Sequence, residues 1–341
     1  MAVPFCRYFG ECPRCFYQDV DYKSSVRIKV AEIREIFGID PKIVESPKER
    51  FYKFRAVLNV KRIKPDKVIL GYSLESGIIL GINACPILRP KINDVIGFLQ
   101  KQLSNEKIST WDPEMGKGKL MGITFLTNDD EVVITLNLRR KVFLKKLTYD
   151  IIYSGKGIGG IWWVVKGKMD YINGGRGKMS LPFEVEGTKL KLSPFGIYPD
   201  NLYILPKVWE VFDGFKNALA LGTGYLFPLN SITTYVEENP LILREMEENK
   251  IIHYSPSKIE NLGFKSFSFF HAERYEWVVI NSDRFFGNIP EVWGNSFVFF
   301  GKKPKRVYEL VKMNRLKVKE IFVFDTEPYT KEFLMAVISG R

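Results

Sequence analysis

The sequence predicts an α/β protein in two parts, a β-rich N-terminal part of α+β character and a doubly wound C-terminal part. Two observations carry this expectation. Up to about residue 195, short runs rich in Val, Ile and aromatic residues are separated by Gly, Asn and Asp turns, as strands of a sheet are. From about residue 204 the pattern changes to helices and strands in alternation. A chain of 341 residues, 45% hydrophobic, can bury more than one core, and its composition excludes disorder, collagen and a disulfide miniprotein. The expected divisions are 1–95, interleaved with a central domain over 50–195, and a last domain over 196–341.

Val26, Val30, Ile33 and Phe37 recur at helical spacing and predict a helix over 25–37 that Gly38 stops. Residues 51–60, 67–72 and 77–82 read as strands leading to Cys85, and 92–103 reads as a helix. Further strands are expected over 122–126, 131–138 and 159–165. Pro206 opens a helix expected to reach Asn217; 218–221 is a short strand, Gly222-Thr223-Gly224 a turn, 232–237 a second strand, and Pro240 opens the next helix. Strands over 277–281, 296–300, 319–324 and 333–339 and a helix over 305–314 complete the series. The last two strands are joined too briefly for a helical crossover, so they should pair antiparallel. The longest uncharged stretch, 217–236, contains Gly222, Gly224, Pro228 and Asn230 and does not read as a membrane span. The first residues do not read as a secretory leader, and the expected location is cytoplasmic.

Cys6, Cys12 and Cys15 form C-x5-C-x2-C, and Cys85 follows within Ala84-Cys85-Pro86-Ile87. Three close thiolates and one distant one satisfy a four-coordinate soft site, either an iron–sulfur cluster or structural zinc. Aromatic and glycine neighbours (Tyr8, Phe9, Gly10, Phe16, Tyr17) exclude water and leave amides to face sulfide, which suits a cluster better.

Charge is unevenly placed along the chain. The net is +12, and residues 51–200 hold 24 basic against 14 acidic groups, whereas 201–300 hold 8 against 12. A polyanion is the natural partner of such a distribution, because phosphate neutralisation releases counterions. High working temperature is the alternative source of Lys-rich surfaces. His253 and His271, the two histidines, read as structural.

A strand, a glycine turn and an acid ending the next strand is the arrangement that holds an adenosyl ribose, with Glu237 accepting from both hydroxyls. Gly174-Gly175-Arg176-Gly177-Lys178 reads as a glycine-basic turn; it does not fit a Walker loop, which excludes nucleotide hydrolysis.

Taken together, these stretches resemble the RNA uracil-C5 methyltransferases that carry a 4Fe-4S cluster and modify tRNA or ribosomal RNA. Cys6-x5-Cys12-x2-Cys15 with Cys85-Pro86-Ile87 is similar to the family's cluster ligands, and residues 193–201 to its entry into the catalytic domain, with Pro199 where a cofactor-side glutamine is expected. Leu221-Gly222-Thr223-Gly224 and Val236-Glu237-Glu238-Asn239-Pro240 resemble its S-adenosylmethionine turn and ribose acid, and Phe324-Asp325-x-x-Pro328-Tyr329-Thr330 its closing motif. The resemblance implies a Rossmann-like S-adenosylmethionine-dependent methyltransferase fold behind a cluster-bearing, RNA-binding part. It implies S-adenosylmethionine bound at Gly222, Gly224, Glu237 and Asn281, and a 4Fe-4S cluster on Cys6, Cys12, Cys15 and Cys85. Structured RNA, tRNA or rRNA, is then the expected partner.

The departures fall on the chemistry. The family's nucleophilic cysteine, which attacks uracil C6 so that C5 can take a methyl group, corresponds to Phe300. The Asp-Pro-Pro-Arg motif before it reads Asn281-Ser282-Asp283-Arg284, and Leu334 stands at the general base, with Glu332 two residues away. The expectation is therefore an RNA-binding relative without m5U catalysis and with no catalytic residue of that reaction. RNA contacts are expected from Arg55, Lys61, Arg62, Lys64, Lys67, Arg176, Lys178 and Arg284, with Trp162 or Trp163 for stacking. Two other classes stay open: an active methyltransferase acting on a nitrogen, which needs no thiol, and a non-catalytic subunit with a protein partner in an RNA-modification or ribosome-associated assembly.

Overall fold

The computed structural model of the chain describes residues 2–167, 170–228, 231–237, 239–249, 275–285, 289 and 294–341. In chain order the elements are α1 (Tyr22–Phe37), β1 (Lys42–Val44), β2 (Arg55–Lys64), β3 (Lys67–Ser73), β4 (Ile79–Gly81), α2 (Pro90–Asn105), β5 (Leu120–Thr127) and β6 (Val132–Leu138). There follow α3 (Lys145–Ile152), β7 (Ile158–Val165), β8 (Tyr171–Gly177), β9 (Leu181–Val185), β10 (Thr188–Leu192), α4 (Leu205–Val211), β11 (Ala218–Leu221) and β12 (Ile232–Val236). The last are α5 (Pro240–Glu248), β13 (Trp277–Asn281), β14 (Ser296–Gly301), α6 (Pro304–Met313), β15 (Lys317–Phe324) and β16 (Leu334–Gly340). His253 and His271 lie outside the described residues. No described helix is long and apolar enough to cross a membrane.

The chain forms two compact units, Met1–Val20 with Lys48–Pro194, and Asp21–Pro47 with Phe195–Arg341. Residues 21–47, which the sequence placed within 1–95, thus stand with the C-terminal unit. The reason is local chemistry. On α1, Val26, Val30 and Ile33 form a buried stripe, and Val30 and Ile33 enter the core of the C-terminal sheet with Leu219, Val278 and Phe297. From the same helix Lys29 donates to Asp325, and β1 pairs in parallel with β15.

In the N-terminal unit a seven-stranded sheet has the order β4-β3-β2-β5-β6-β7-β8. All its pairings are antiparallel except β6–β7, which α3 connects. Helix α2 packs on it through Ile92, Val95, Ile96, Leu99 and Leu103, all fully buried. The strand expected from residue 51 begins at Arg55; residues 51–53 instead bond with 86–89.

In the C-terminal unit the order is β1-β15-β16-β14-β13-β11-β12, parallel but for β16, and β15 pairs with β16 antiparallel as expected. β11 pairs with β12 on one side and β13 on the other, which makes its carboxyl end the topological switch point, where such sheets bind ligands. The helix expected over 206–217 ends at Val211, because the chain turns through Gly214 and Asn217, both at positive φ.

Candidate functional site

Two places in the chain gather chemistry. At the switch point, Gly222 and Gly224 take φ of 60° and 55°, the left-handed region that favours glycine. A Cβ on Gly224 would also stand 2.3 Å from the carbonyl oxygen of Ile197. The Tyr225 N–H donates to that carbonyl at 2.8 Å, so residues 195–199 hold the turn from outside. Asn281, at the end of β13, donates from Nδ2 to the Gly222 carbonyl at 3.0 Å. Thr223 is fully buried, and its hydroxyl has no hydrogen-bond partner among the described residues.

Glu237 follows β12 and is fully buried. Arg284 donates to it from both terminal nitrogens, at 2.5 and 2.6 Å. The Asn239 N–H donates at 2.8 Å and the Tyr235 hydroxyl at 3.2 Å. A carboxylate offers about four acceptor sites, and these four donors fill them. The Tyr235 hydroxyl also accepts from the Gly224 N–H at 3.1 Å, tying turn and acid together. Burial, and after it the charge of Glu237, holds this phenol well above its usual range.

Arg284, expected on RNA, is therefore an internal partner of the acid expected on ribose. The guanidinium and the Asn281 contact were not legible as such, because each depends on which loops β11, β12 and β13 bring together.

The catalytic positions of the resemblance are filled differently. Phe300 is fully buried, with its ring edge-on to Phe212 at 5.3 Å. Leu334 is buried at the start of β16. Ser282 is tied to the Phe300 carbonyl through both its hydroxyl and its N–H at 2.7 Å. Glu332 is partly exposed, 3.8 Å from the Lys302 ammonium.

In the N-terminal unit all four cysteines are free thiols. Cys85 is clamped by Asn93 on α2, whose side chain accepts from its N–H at 2.9 Å and donates to its carbonyl at 3.0 Å. Phe51 and Lys53 N–H groups hold the next two carbonyls, of Pro86 and Ile87, each at 2.9 Å. The Cys6 N–H donates to Gln18 Oε1 at 3.1 Å, and the Cys12 N–H to the Tyr8 carbonyl at 2.8 Å.

The thiols act on one another. Burial pushes Cys15 up to about 12, helped by the charges of Cys85, Cys12 and Cys6. It pushes Cys85 up to about 11, with Cys6 and Cys12 adding to it and the Ile87 N–H opposing. Tyr72, buried beside them, is raised by burial and then by Cys85. Gln18 is buried, and its side chain reaches the Cys15 sulfur, which opposes the rise of that thiol. No three His, Cys, Asp or Glu among the described residues converge closely enough to hold a single metal ion.

The basic residues expected on RNA divide. Arg62 is turned inward: its guanidinium donates to the carbonyls of Leu103, Ser104, Glu106 and Pro65, closing the C-terminal end of α2. Lys61 pairs with Asp112 at 3.1 Å, and Lys178 with Glu131 at 2.7 Å. Arg55 opens β2, half-buried, while Lys64 and Lys67 are exposed. Arg176 is exposed and lies over the rings of Tyr149 and Tyr153.

The expected turn at 174–178 is mostly strand β8, paired with β7. Its glycines make room for indoles, since a Cβ at Gly174 would stand 2.2 Å from Trp163 Nε1 and one at Gly175 2.5 Å from Trp162. Trp163 is thereby buried and not free for stacking, whereas Trp162 is half-buried and donates from Nε1 to the Lys178 carbonyl at 2.8 Å.

Comparison with known proteins places these features. By sequence the chain is related to RNA uracil-C5 methyltransferases. It is 21% identical to the 23S rRNA (uracil(747)-C(5))-methyltransferase of Pyrococcus furiosus, over 99% of this chain and 85% of that protein. To the tRNA (uracil(54)-C(5))-methyltransferase of the same organism it is 23% identical, over 58% of this chain and 48% of that one. No family model matches. Among solved structures, the Pyrococcus abyssi tRNA (uracil-54, C5)-methyltransferase in complex with S-adenosyl-L-homocysteine superposes with a TM-score of 0.71 at 18% identity, covering 94% of this chain and 84% of that one. The two proteins share a mixed α/β fold.

Proposed function

We propose that this chain is an RNA-binding protein on an S-adenosylmethionine-dependent methyltransferase fold, without the thiol chemistry that methylates uracil C5. The reading rests on Phe300, which the resemblance sets at the nucleophile's position: its ring is fully buried against Phe212, and all four thiols belong to the other unit. Addition to uracil C6 needs an ionisable, accessible nucleophile, and Ser282 is neither ionised readily nor unbound. RNA as partner is supported by the names of the sequence relatives and by the basic bias of residues 51–200.

S-adenosylmethionine is the ligand expected at the switch point, on Gly222, Gly224 and Asn281 and on Glu237 once Arg284 yields its place on the acid, with the Thr223 hydroxyl left without a partner among the described residues. The cofactor supplies an electrophilic methyl group when bound. These retained features favour a second reading, methyl transfer to an RNA nitrogen that attacks without help from a thiol.

The chemistry of four soft ligands suits a 4Fe-4S cluster. The Gln18 side chain reaches the Cys15 sulfur and favours its thiolate, and the repulsion among the thiolates, which adds to burial in raising Cys15 and Cys85, would be relieved by bound cations. A single tetrahedral ion needs sulfurs within about 4 Å of one another; cluster ligands, each on its own iron, spread more widely. Held by Cys6, Cys12, Cys15 and Cys85, the cluster would brace the N-terminal loop against the Cys85 segment. Because burial raises Cys12, Cys15 and Cys85, loading releases protons and weakens as pH falls.

Two assays test the reading. Anaerobically purified protein should contain about four irons per chain, and one zinc in their place overturns the cluster. Incubation with RNA tritiated at uracil C5 should release no tritium, and stoichiometric release overturns the loss of m5U chemistry. Methyl label from S-adenosylmethionine entering a nitrogen-methylated nucleoside would establish the second reading.

A further inference from the structure

In the N-terminal unit, the loop after β6, helix α3 and strand β8 form one surface. Asn173 on β8 donates to the Val142 carbonyl at 2.7 Å, fixing the loop beside the strand. Four of the seven exposed aromatic rings among the described residues lie here: Phe143, Tyr149, Tyr153 and Tyr171, with Phe143 86% exposed. Tyr149 on α3 and Tyr153, its C-cap, stand four residues apart on the side away from the buried Leu147, Thr148 and Ile151. Their rings are stacked, with centroids 5.7 Å apart. The Arg176 guanidinium caps the pair, 4.6 and 5.5 Å from the two ring centres, and donates to the Tyr149 hydroxyl at 2.8 Å.

The charge around these rings has one sign. Residues 139–156 hold six basic groups and one acidic group, Asp150. Arg140, Lys145 and Lys146 are exposed and form no ion pair among the described residues.

We propose that this surface binds a single-stranded stretch of RNA, its bases stacked on Tyr149, Tyr153 and Phe143 and its phosphates met by Arg140, Lys145 and Lys146. The inference rests on the reading that the protein binds RNA, and adds where and in what form. Rings that keep this much surface in water, 64% at Tyr153 and 86% at Phe143, are of use only to bases that are not already stacked, which selects single strands over duplex. A protein partner is the other occupant of an exposed aromatic surface, but the centre of such an interface is depleted of charge, and this one is interleaved with cations.

The test compares the full-length protein with Y149A/Y153A and K145Q/K146Q variants, in fluorescence anisotropy with a labelled oligouridylate and an RNA duplex of equal length. All four residues are exposed, and matching melting curves establish that each variant is folded. The wild type should prefer the single strand. Y149A/Y153A should weaken oligouridylate about tenfold or more and leave duplex binding unchanged. K145Q/K146Q should lower the salt dependence, by about 0.7 in the log–log slope for each phosphate no longer neutralised. If the wild type binds RNA and both variants bind it equally well, the surface assignment is wrong and the RNA reading stands. If the wild type binds neither RNA, both fall, and a protein partner becomes the reading of this surface.

Discussion

Two carboxylates of the C-terminal unit, Glu237 and Asp325, are buried to the same degree, and each is met by a cation, but the cations live in different surroundings. Lys29 is sealed: its ammonium donates to Asp325 at 2.5 Å and to the carbonyls of Glu327 and Glu332 at 2.7 and 3.2 Å, so all three of its protons are used. Burial pulls its pKa down, and the charge of Asp325 opposes that. Arg284, facing Glu237, keeps 20% of its side-chain surface in water. The first pair is a structural rivet that fastens α1 to the loop after β15. The second sits at the switch point, on the acid a ribose would need, and one of its partners has a way out.

The largest effect should come from breaking the rivet. Lys29→Met leaves Asp325 charged and uncompensated in the interior, which costs about 3–5 kcal/mol. Denaturant unfolding should show that loss, and adding Asp325→Leu should recover much of it, because burying two apolar groups removes the stranded charge. A single variant as stable as the wild type would mean that water reaches Asp325 and the contrast with Glu237 is false.

Phe300→Cys comes next and probes the apolar side of the same sheet. Losing most of a ring packed on Phe212 opens a cavity, with a cost near the ~3 kcal/mol lower end for truncating a buried phenylalanine. The new thiol would be buried among aromatics, where thiols stay protonated and inert. No tritium should be released from uracil C5, and release would show that one residue separates this protein from the m5U reaction.

What the sequence made legible follows the range of the interactions involved. Helices α1 and α2 were readable because Val26, Val30 and Ile33, and Ile92, Ile96, Leu99 and Leu103, repeat at the helical period. The turn between β11 and β12 was readable because Gly222 and Gly224 answer to local backbone geometry. Gly174 and Gly175 misled for the converse reason: glycines usually mark turns, and here they yield space to Trp163 and Trp162 from the neighbouring strand. Arg62 looked like any exposed cation of a basic strand until the fold placed around it the carbonyls of Leu103 and Ser104 on α2, of Glu106 just beyond it and of Pro65. The pairing of Glu237 with Arg284 spans 47 residues and two strand ends, and no local pattern announces it.

The smallest expected effect is the one that decides whether the second pair is a latch or part of the cofactor site. Arg284→Gln takes two charge-assisted hydrogen bonds from Glu237, but the partly exposed position lets water replace them, so the stability loss should stay within about 1–3 kcal/mol. If the guanidinium and the ribose hydroxyls compete for the same four acceptor positions, removing the competitor should tighten S-adenosylmethionine binding, by about tenfold for each 1.4 kcal/mol of competition relieved. Calorimetry on the folded variant reads this directly. Glu237→Gln serves as the control, because it weakens ribose binding whether or not Arg284 competes. Weaker binding by Arg284→Gln would place the arginine among the groups that organise the crevice, and the two carboxylates would then differ in exposure without differing in kind.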